Sequence, residues 1–517
     1  MSTAVETTSR KSADSGVQHY KMFIEGQWVD TEERYSIIDP ANEELVATAA
    51  KGSLQHADAA VAAAKRAFES GVWREMSPRE RAHVLEKTAD AIERRGDELT
   101  ALGTREGGAP LKLSNAFVAG MPVSNTRYFA DVLTKYEFER PGPIVGPVLM
   151  GGVSRREPLG VCVAIVPWNF PLALAIWKVM PAIAAGNSVV LKPDEKTPLG
   201  ALELARELQA AGLPDGVFNV VTGEGAEVGA HLAAHPDVRK VSFTGSTAVG
   251  KDVLTAGADN LKRVTLELGG KGANIVLDDA DLALAVDGSI WAFMMHSGQA
   301  CESGTRLLLP DSIHDEFVRR MVERLRTQRI GDPLDPATDV GPLINEVQRD
   351  KVLRYIESAR EQGATVVLGG GIPDGPEFEK GFWVEPTVIT NVTSDMTVAR
   401  EEIFGPVLSV IRYHTVDEAI KIANDTEYGL SAGVWSRDPN KAFAVARRLE
   451  AGSVWINDWH MGNQEYPFGG YKQSGLGREL GAGALDEYTE QKSIQVCLEP
   501  KLANRAYGLV LSVPPAA

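Results

Sequence analysis

The sequence has little that could staple a fold covalently or hold a metal. Its three cysteines, Cys162, Cys301 and Cys497, are odd in number, widely spaced and form no CxxC pair, which excludes a disulfide framework and the usual metal spacings. Basic charge is also short: 53 Lys and Arg stand against 70 Asp and Glu, for a formal net charge of -17. Nucleic-acid binding needs a basic face that can release counterions, so no nucleic-acid partner is expected. No apolar run approaches the roughly 20 residues needed to cross a bilayer, and no membrane association is expected. The opening MSTAVETTSRKSADSGVQ has no apolar stretch of the kind secretion signals carry. Residues 1–19 therefore read as a disordered lead, and the cytoplasm is the expected location.

What is present is an ordinary globular composition, 44% hydrophobic and 24% charged, in a chain of 517 residues, long enough for several units. From residue 161, short β-branched runs (VCVAIVP, NSVVLKP, GVFNVVTG, KVSFTG) alternate with stretches of helical period such as PLALAIWKVMPAIAAG and TPLGALELARELQAAG. This is the pattern of βαβ units and predicts a parallel sheet covered by helices. A second series begins at ANIVLDDADL and runs through TRLLLPDSI, ATVVLGGG, PVLSVIRYH and GLSAGVWS. The proline- and glycine-rich segment RPGPIVGPVLMGGVSRREP lacks helical period and reads as a protruding hairpin. VRRMVERLRTQR reads as the solvated side of an amphipathic helix, and GGGIPDG as a surface turn.

Cys162 in VCVAIV and Cys497 in IQVCL lie in apolar runs and are expected to pack in the interior. Cys301 differs. Its setting, HSGQACESGTR, is polar and rich in glycine, the setting of a reactive thiol. Glu267, in VTLELGGKGANIVL, closes a predicted strand before a Gly-Gly pair that allows close approach. Asn169, in VPWNFPLALAIWK, follows another strand. A thiol, a carboxylate and an amide donor, all at strand ends or in loops, form a set suited to acyl chemistry. Two phosphate-binding candidates stand nearby. TGEGAEVG, with Gly223, Gly225 and Gly229, has one residue too many for GxGxxG, whereas KVSFTGSTAVG runs a strand through Gly245 and Ser246 into a helix N-terminus. His231 and His235 share a helix face, but HLAAH lacks the glutamate of HExxH and no metal is assigned.

With PWNFP, LKP.E, FTGS...G, ELGGK, GQ.C, EEIFGPV and PFGGYKQSGLGRELG in this order, the chain resembles the NAD(P)-dependent aldehyde dehydrogenase superfamily of hydrolytic, non-acylating type, from about residue 20 to about 495. The resemblance implies an α/β fold: a Rossmann-like NAD-binding domain over 20–139 and 159–266, a catalytic α/β domain over 267–475, and a small β oligomerisation arm over 140–158 and 476–517. It implies Cys301 as nucleophile, Asn169 as oxyanion donor and Glu267 as the base that activates water. Val166, Pro167, Trp168, Lys192, Glu195, Gly225, Gly245, Ser246, Gly250, Leu268, Glu402 and Phe404 would bind the cofactor. A Glu195 carboxylate at the ribose favours NAD over NADP. Phe170, Leu174, Trp177, Met294, Met295, Glu302, Trp459, Met461 and Phe468 would line the substrate funnel, suited to an apolar or aromatic aldehyde.

His296 stands where the family commonly has asparagine, and Glu302 directly follows the nucleophile, where small or polar residues are frequent. Glu302 is expected to face the substrate entrance. A homotetramer or homodimer is expected, with the apolar alternation of YGLVLSV adding a strand against a neighbouring subunit. A CoA-acylating relative is the alternative, and Glu267 argues against it; a non-catalytic binding or structural relative is another, which the full set of site residues opposes.

Overall fold

A computed structural model of the chain describes residues 17–144, 150–462, 464–501 and 504–511. Its main feature is a pair of helix-covered sheets. The eight-stranded sheet is ordered Gly475–Leu476, Arg263–Glu267, Lys240–Thr244, Val161–Ile165, Ser188–Lys192, Phe218–Val220, Met22–Ile24, Gln27–Val29. Its five central strands, from Arg263–Glu267 to Phe218–Val220, are parallel, and antiparallel strands close both edges. Four of those five are buried along their whole length and Arg263–Glu267 over its last three residues, as expected of strands covered by helices on both faces.

The seven-stranded sheet is ordered Thr365–Leu368, Thr387–Thr390, Val407–Tyr413, Arg306–Pro310, Ala273–Val276, Ser431–Trp435, Ser453–Ile456, and only its first pair is antiparallel. After it the chain returns to the first sheet, where Gly475 pairs with Glu267. The α/β fold class read from the alternation is the one observed. The amphipathic helix is His314–Leu325, which buries Phe317, Met321 and Leu325 and sets Arg319 and Arg320 against Glu316 in water.

A separate three-stranded sheet joins Thr489–Cys497 to Met150–Pro158 over nine residue pairs, and Met150–Pro158 to Glu139–Pro141. Three expectations need correction. Order begins earlier than residue 20, since Gln18–Tyr20 pairs in parallel with Ala47–Ala49; the rest of the expected disordered lead, residues 1–16, lies outside the described residues. Cys497 is half-buried and not in the interior, because its strand flanks a small sheet and leaves Ile494 and Val496 about half exposed. The tail YGLVLSV does not form a strand where it is described. Ala506–Leu509 is a 3-10 turn, and the amides of Val510 and Leu511 both donate to the Tyr507 carbonyl, at 3.1 and 2.9 Å. This backbone satisfies itself locally.

Candidate active site

Cys301 sits in a turn built by backbone strain. The helix Leu282–Met294 ends, and His296, Ser297 and Gly298 follow with φ of 51°, 54° and 74°. Three successive left-handed residues are costly unless surrounding contacts fix them. Here Ser297 Oγ donates to the Gly341 carbonyl at 2.7 Å, and a Cβ on Gly298 would stand 2.1 Å from the Gly405 carbonyl oxygen. Gln299 completes the brace, its Oε1 accepting from the Ile344 amide at 2.9 Å. A Cβ on Gly270 would come within 2.4 Å of the Cys301 carbonyl oxygen, so the Gly-Gly pair after Glu267 does permit a close approach. Burial pushes the half-buried Cys301 thiol well above its ordinary range, and the carboxylates of Glu302, Glu402 and Glu267 push in the same direction.

Asn169 follows the strand Val161–Ile165 and precedes the helix Pro171–Ala184. Its Nδ2 donates to the Gln299 carbonyl at 2.9 Å, two residues before Cys301, and its Oδ1 has no partner. An Nδ2 amide carries two hydrogens, so one remains for another acceptor. His296, buried with both ring nitrogens unpartnered, packs 5.4 Å from the Phe170 ring, and burial lowers its pKa to about 4. It is therefore a neutral ring at neutral pH.

Glu267 ends its strand fully inside, 4% exposed, with Oε2 unpartnered. Burial raises its carboxyl well above the usual carboxylate range, and the nearby Glu479 raises it further, against the opposing charges of Lys178 and Arg478. Lys178 and Glu479 form a buried ion pair, and Ser242 Oγ adds a hydrogen bond to Glu479 at 3.1 Å. Gly469, at φ 152°, leaves the space that the Glu267 carboxylate uses: a Cβ there would stand 2.7 Å from Oε1 and 2.9 Å from the Gly477 carbonyl oxygen. A Gly469→Ala substitution is expected to cost about 1–3 kcal/mol of stability. A denaturant titration of the folded protein checks this.

The other sequence-derived positions fall into two groups. Val166, Pro167 and Trp168 continue from the strand, with the Val166 amide donating to the Lys192 carbonyl at 3.1 Å. Lys192 reaches Glu195 at 3.3 Å, and Lys196 reaches it at 3.4 Å. Burial opposes ionisation of Glu195, yet these two lysines overrule it and hold the carboxyl below its ordinary value. A Cβ on Gly225 would lie 3.9 Å from Lys192 Nζ, which puts Gly225 beside the same pair. Ser246 caps the helix Thr247–Ala256 through the Val249 amide. Gly245 and Gly250 are required by packing, because side chains there would meet Phe243 and Leu268 at 2.4 Å. Glu402 accepts from the Gly270 amide at 2.9 Å, and Phe404, at φ 62°, meets the edge of Trp168 with ring centroids 5.4 Å apart.

Among the expected lining residues, Trp177 and Phe468 pack edge to face at 5.1 Å, and Phe170 lies 5.0 Å from Phe117. Leu174, Met294 and Met295 are buried, whereas Met461 is exposed. Trp459 is the most deeply packed of them. Its ring is 1% exposed and fills a slot left by Gly272, Gly304 and Gly433, where side chains would meet it within 3.2 Å. Glu302 is turned to His460, whose Nδ1 lies 2.7 Å from Oε1. His231 and His235 both face Asp58, at 2.6 and 3.5 Å.

Lys178, Ser242, Glu479 and His460 were missed by sequence reasoning. One signal existed: Lys178 is the sole charged residue of the helix PLALAIWKVMPAIA, and a buried cation must find a partner.

Comparison with known proteins shows the family. The model of the Aldehyde dehydrogenase family matches residues 28–494. The chain is 43% identical over 488 residues to betaine aldehyde dehydrogenase of Bacillus subtilis (strain 168), covering 93% of this chain and 98% of that one. It is 44% identical over 492 residues to aldehyde dehydrogenase 1A1 of Gallus gallus, covering 94% and 95%. Among solved structures, an NAD+ complex of aldehyde dehydrogenase from Bacillus cereus superposes with a TM-score of 0.90 at 43% identity, over 93% and 97% of the two chains. An indole-3-acetaldehyde dehydrogenase complexed with NAD+ gives 0.90 at 42% identity, over 93% and 97%.

Proposed function

The chain belongs to the aldehyde dehydrogenase family, and we propose that it oxidises an apolar or aromatic aldehyde to the carboxylic acid with NAD, through a thioester on Cys301 that water hydrolyses. The observation that carries this reading is the convergence on one turn of Cys301, the Asn169 amide and the Glu267 carboxyl. Cys301 Sγ attacks the carbonyl carbon as thiolate, and the carbonyl oxygen takes the negative charge. The free Asn169 Nδ2 hydrogen and the Cys301 backbone N–H are the donors for that oxyanion. Glu267 accepts the proton of the water that attacks the thioester carbonyl, which releases the acid and returns the thiol. When bound, NAD supplies the hydride acceptor that turns the tetrahedral adduct into the thioester.

Several features support a dinucleotide site. Glycine at 225 keeps space open beside Lys192 and Glu195, Ser246 opens a helix N-terminus, Phe404 packs on Trp168, and Glu402 is held by the Gly270 amide. An ionised Glu195 accepts from a ribose hydroxyl and repels a 2'-phosphate. A Glu195→Ser variant is accordingly expected to shift the NAD to NADP ratio of kcat/KM by about tenfold to a hundredfold toward NADP; steady-state rates with both cofactors measure it.

The apolar substrate class is supported by the packed rings of Trp177, Phe468 and Phe170. NADH formation with aliphatic, aromatic and quaternary-ammonium aldehydes, without CoA, tests the reading. Sustained turnover ranked toward apolar aldehydes supports it; faster turnover of the cationic aldehyde would overturn the substrate class, and dependence on CoA the hydrolytic step. Exposed Ile494, Val496 and Leu498 along the outer strand support assembly into a dimer or tetramer. Among the described residues, no helix is long and apolar enough to cross a membrane.

A further inference from the structure

The residue after the nucleophile is a glutamate, and the side chains that push hardest on Cys301 are all acidic: Glu302 on its own turn, Glu402 from the segment after Thr397–Arg400, and Glu267 from its strand. Such surroundings disfavour a thiolate. Among the described residues, the only basic side chain within ion-pair distance of Glu302 is His460. The contact is part of a built joint. Glu302 lends its backbone carbonyl to Trp459 Nε1 at 2.8 Å and to Ser431 Oγ at 2.9 Å, while its Oε1 faces His460 Nδ1 at 2.7 Å. Trp291 Nε1 donates to the Trp459 carbonyl at 2.9 Å and stacks edge to face on the His460 ring at 5.2 Å. His460 itself is held at φ 53°, a conformation that side chains rarely adopt.

The second ring nitrogen sets the proton count. His460 Nε2 faces the Ala292 carbonyl oxygen at 3.2 Å, so both nitrogens look at acceptors. Against an ionised Glu302, only the doubly protonated ring completes both contacts, whereas either neutral tautomer leaves a lone pair against an oxygen. A buried imidazolium against a carboxylate is a charge-assisted pair whose members depend on each other.

We propose that His460 is a positioning residue that acts through Glu302, fixing the carboxylate beside the nucleophile and balancing its charge so that Cys301 can react as an anion. The role rests on Cys301 being the nucleophile of the proposed function. Its test reads the thiol itself, with neither aldehyde nor NAD, so the two readings can fail separately.

The test is the alkylation rate of Cys301 in the full-length protein by neutral iodoacetamide and by anionic iodoacetate, followed by peptide mass spectrometry. The half-buried Cys497 serves as internal control. With His460→Gln, the unbalanced carboxylate is expected to slow iodoacetamide about tenfold, the equivalent of one pKa unit, and iodoacetate further. Adding Glu302→Gln to the same chain is expected to restore both rates, a non-additivity that marks direct coupling. Unchanged rates in His460→Gln, or a double variant as slow as the single, would overturn the proposal, since a merely structural joint does not distinguish the charge of the reagent. If His460→Gln does not fold, Glu302→Gln alone decides: a raised ratio of iodoacetate to iodoacetamide rates supports the pair, and an unchanged ratio rejects it.

Discussion

A Cys301→Ser variant will lose aldehyde-dependent NADH formation by about four orders of magnitude or more, while binding NAD as the parent protein does. The size of the loss follows from the site. Serine fits the same turn, because the brace around it is made by Gln299, Ser297 and Gly298 and not by the sulfur. The Asn169 amide and the backbone N–H remain in place, so the oxyanion donors survive. What disappears is the sulfur, a far better nucleophile than oxygen and one whose proton leaves far more readily than that of a hydroxyl set among Glu302, Glu402 and Glu267. The substitution leaves Lys192, Glu195 and Gly225, the residues proposed for the cofactor's adenosine end, untouched, which is why binding should persist. Single-turnover NADH fluorescence with the variant, beside a titration of NAD binding, makes the comparison. A variant with a tenth of the parent rate would remove Cys301 from the chemistry.

How much of this was legible beforehand differs from residue to residue, for physical reasons. The alternation of β-branched and helical runs gave away both sheets, because strands buried on both faces run largely apolar and β-branched. Cys301, Glu267 and Asn169 were legible because each stands in a polar or glycine-containing break between such runs. The partners that tune them were not. Glu479 reaches Lys178 across 301 residues of sequence, and His460 reaches Glu302 across 158. A pair of that kind leaves no local period or spacing, only an unexplained charge in an apolar helix, as at Lys178. The slot that holds Trp459 was illegible for a related reason: Gly272, Gly304 and Gly433, which make it, are brought together only by the fold.

The second large effect concerns water. In Glu267→Gln the first turnover should proceed and the second should stall, giving one NADH per active site in a burst and then a steady state slowed by about 10²–10⁴-fold. Glutamine keeps the shape beside Gly469 but cannot accept the proton of the attacking water. The pH dependence follows from the same carboxyl. Burial first, and Glu479 second, raise its pKa in the folded protein. The base is the ionised form, so hydrolysis in the parent should fall as pH drops through that raised value, an acid limb well above the range of an ordinary glutamate. Removing the repulsion with Glu479→Gln should lower the pKa and carry the limb to lower pH. Removing the opposing cation with Lys178→Met should carry it upward, since Lys178 is among the charges that hold the pKa down. Pre-steady-state NADH formation across a pH series reads both limbs, because the burst reports acylation and the later slope reports hydrolysis. A Glu267→Gln variant whose steady state matches the parent at every pH would mean that another group activates the water. A limb that ignores Glu479 would mean that burial alone sets the base.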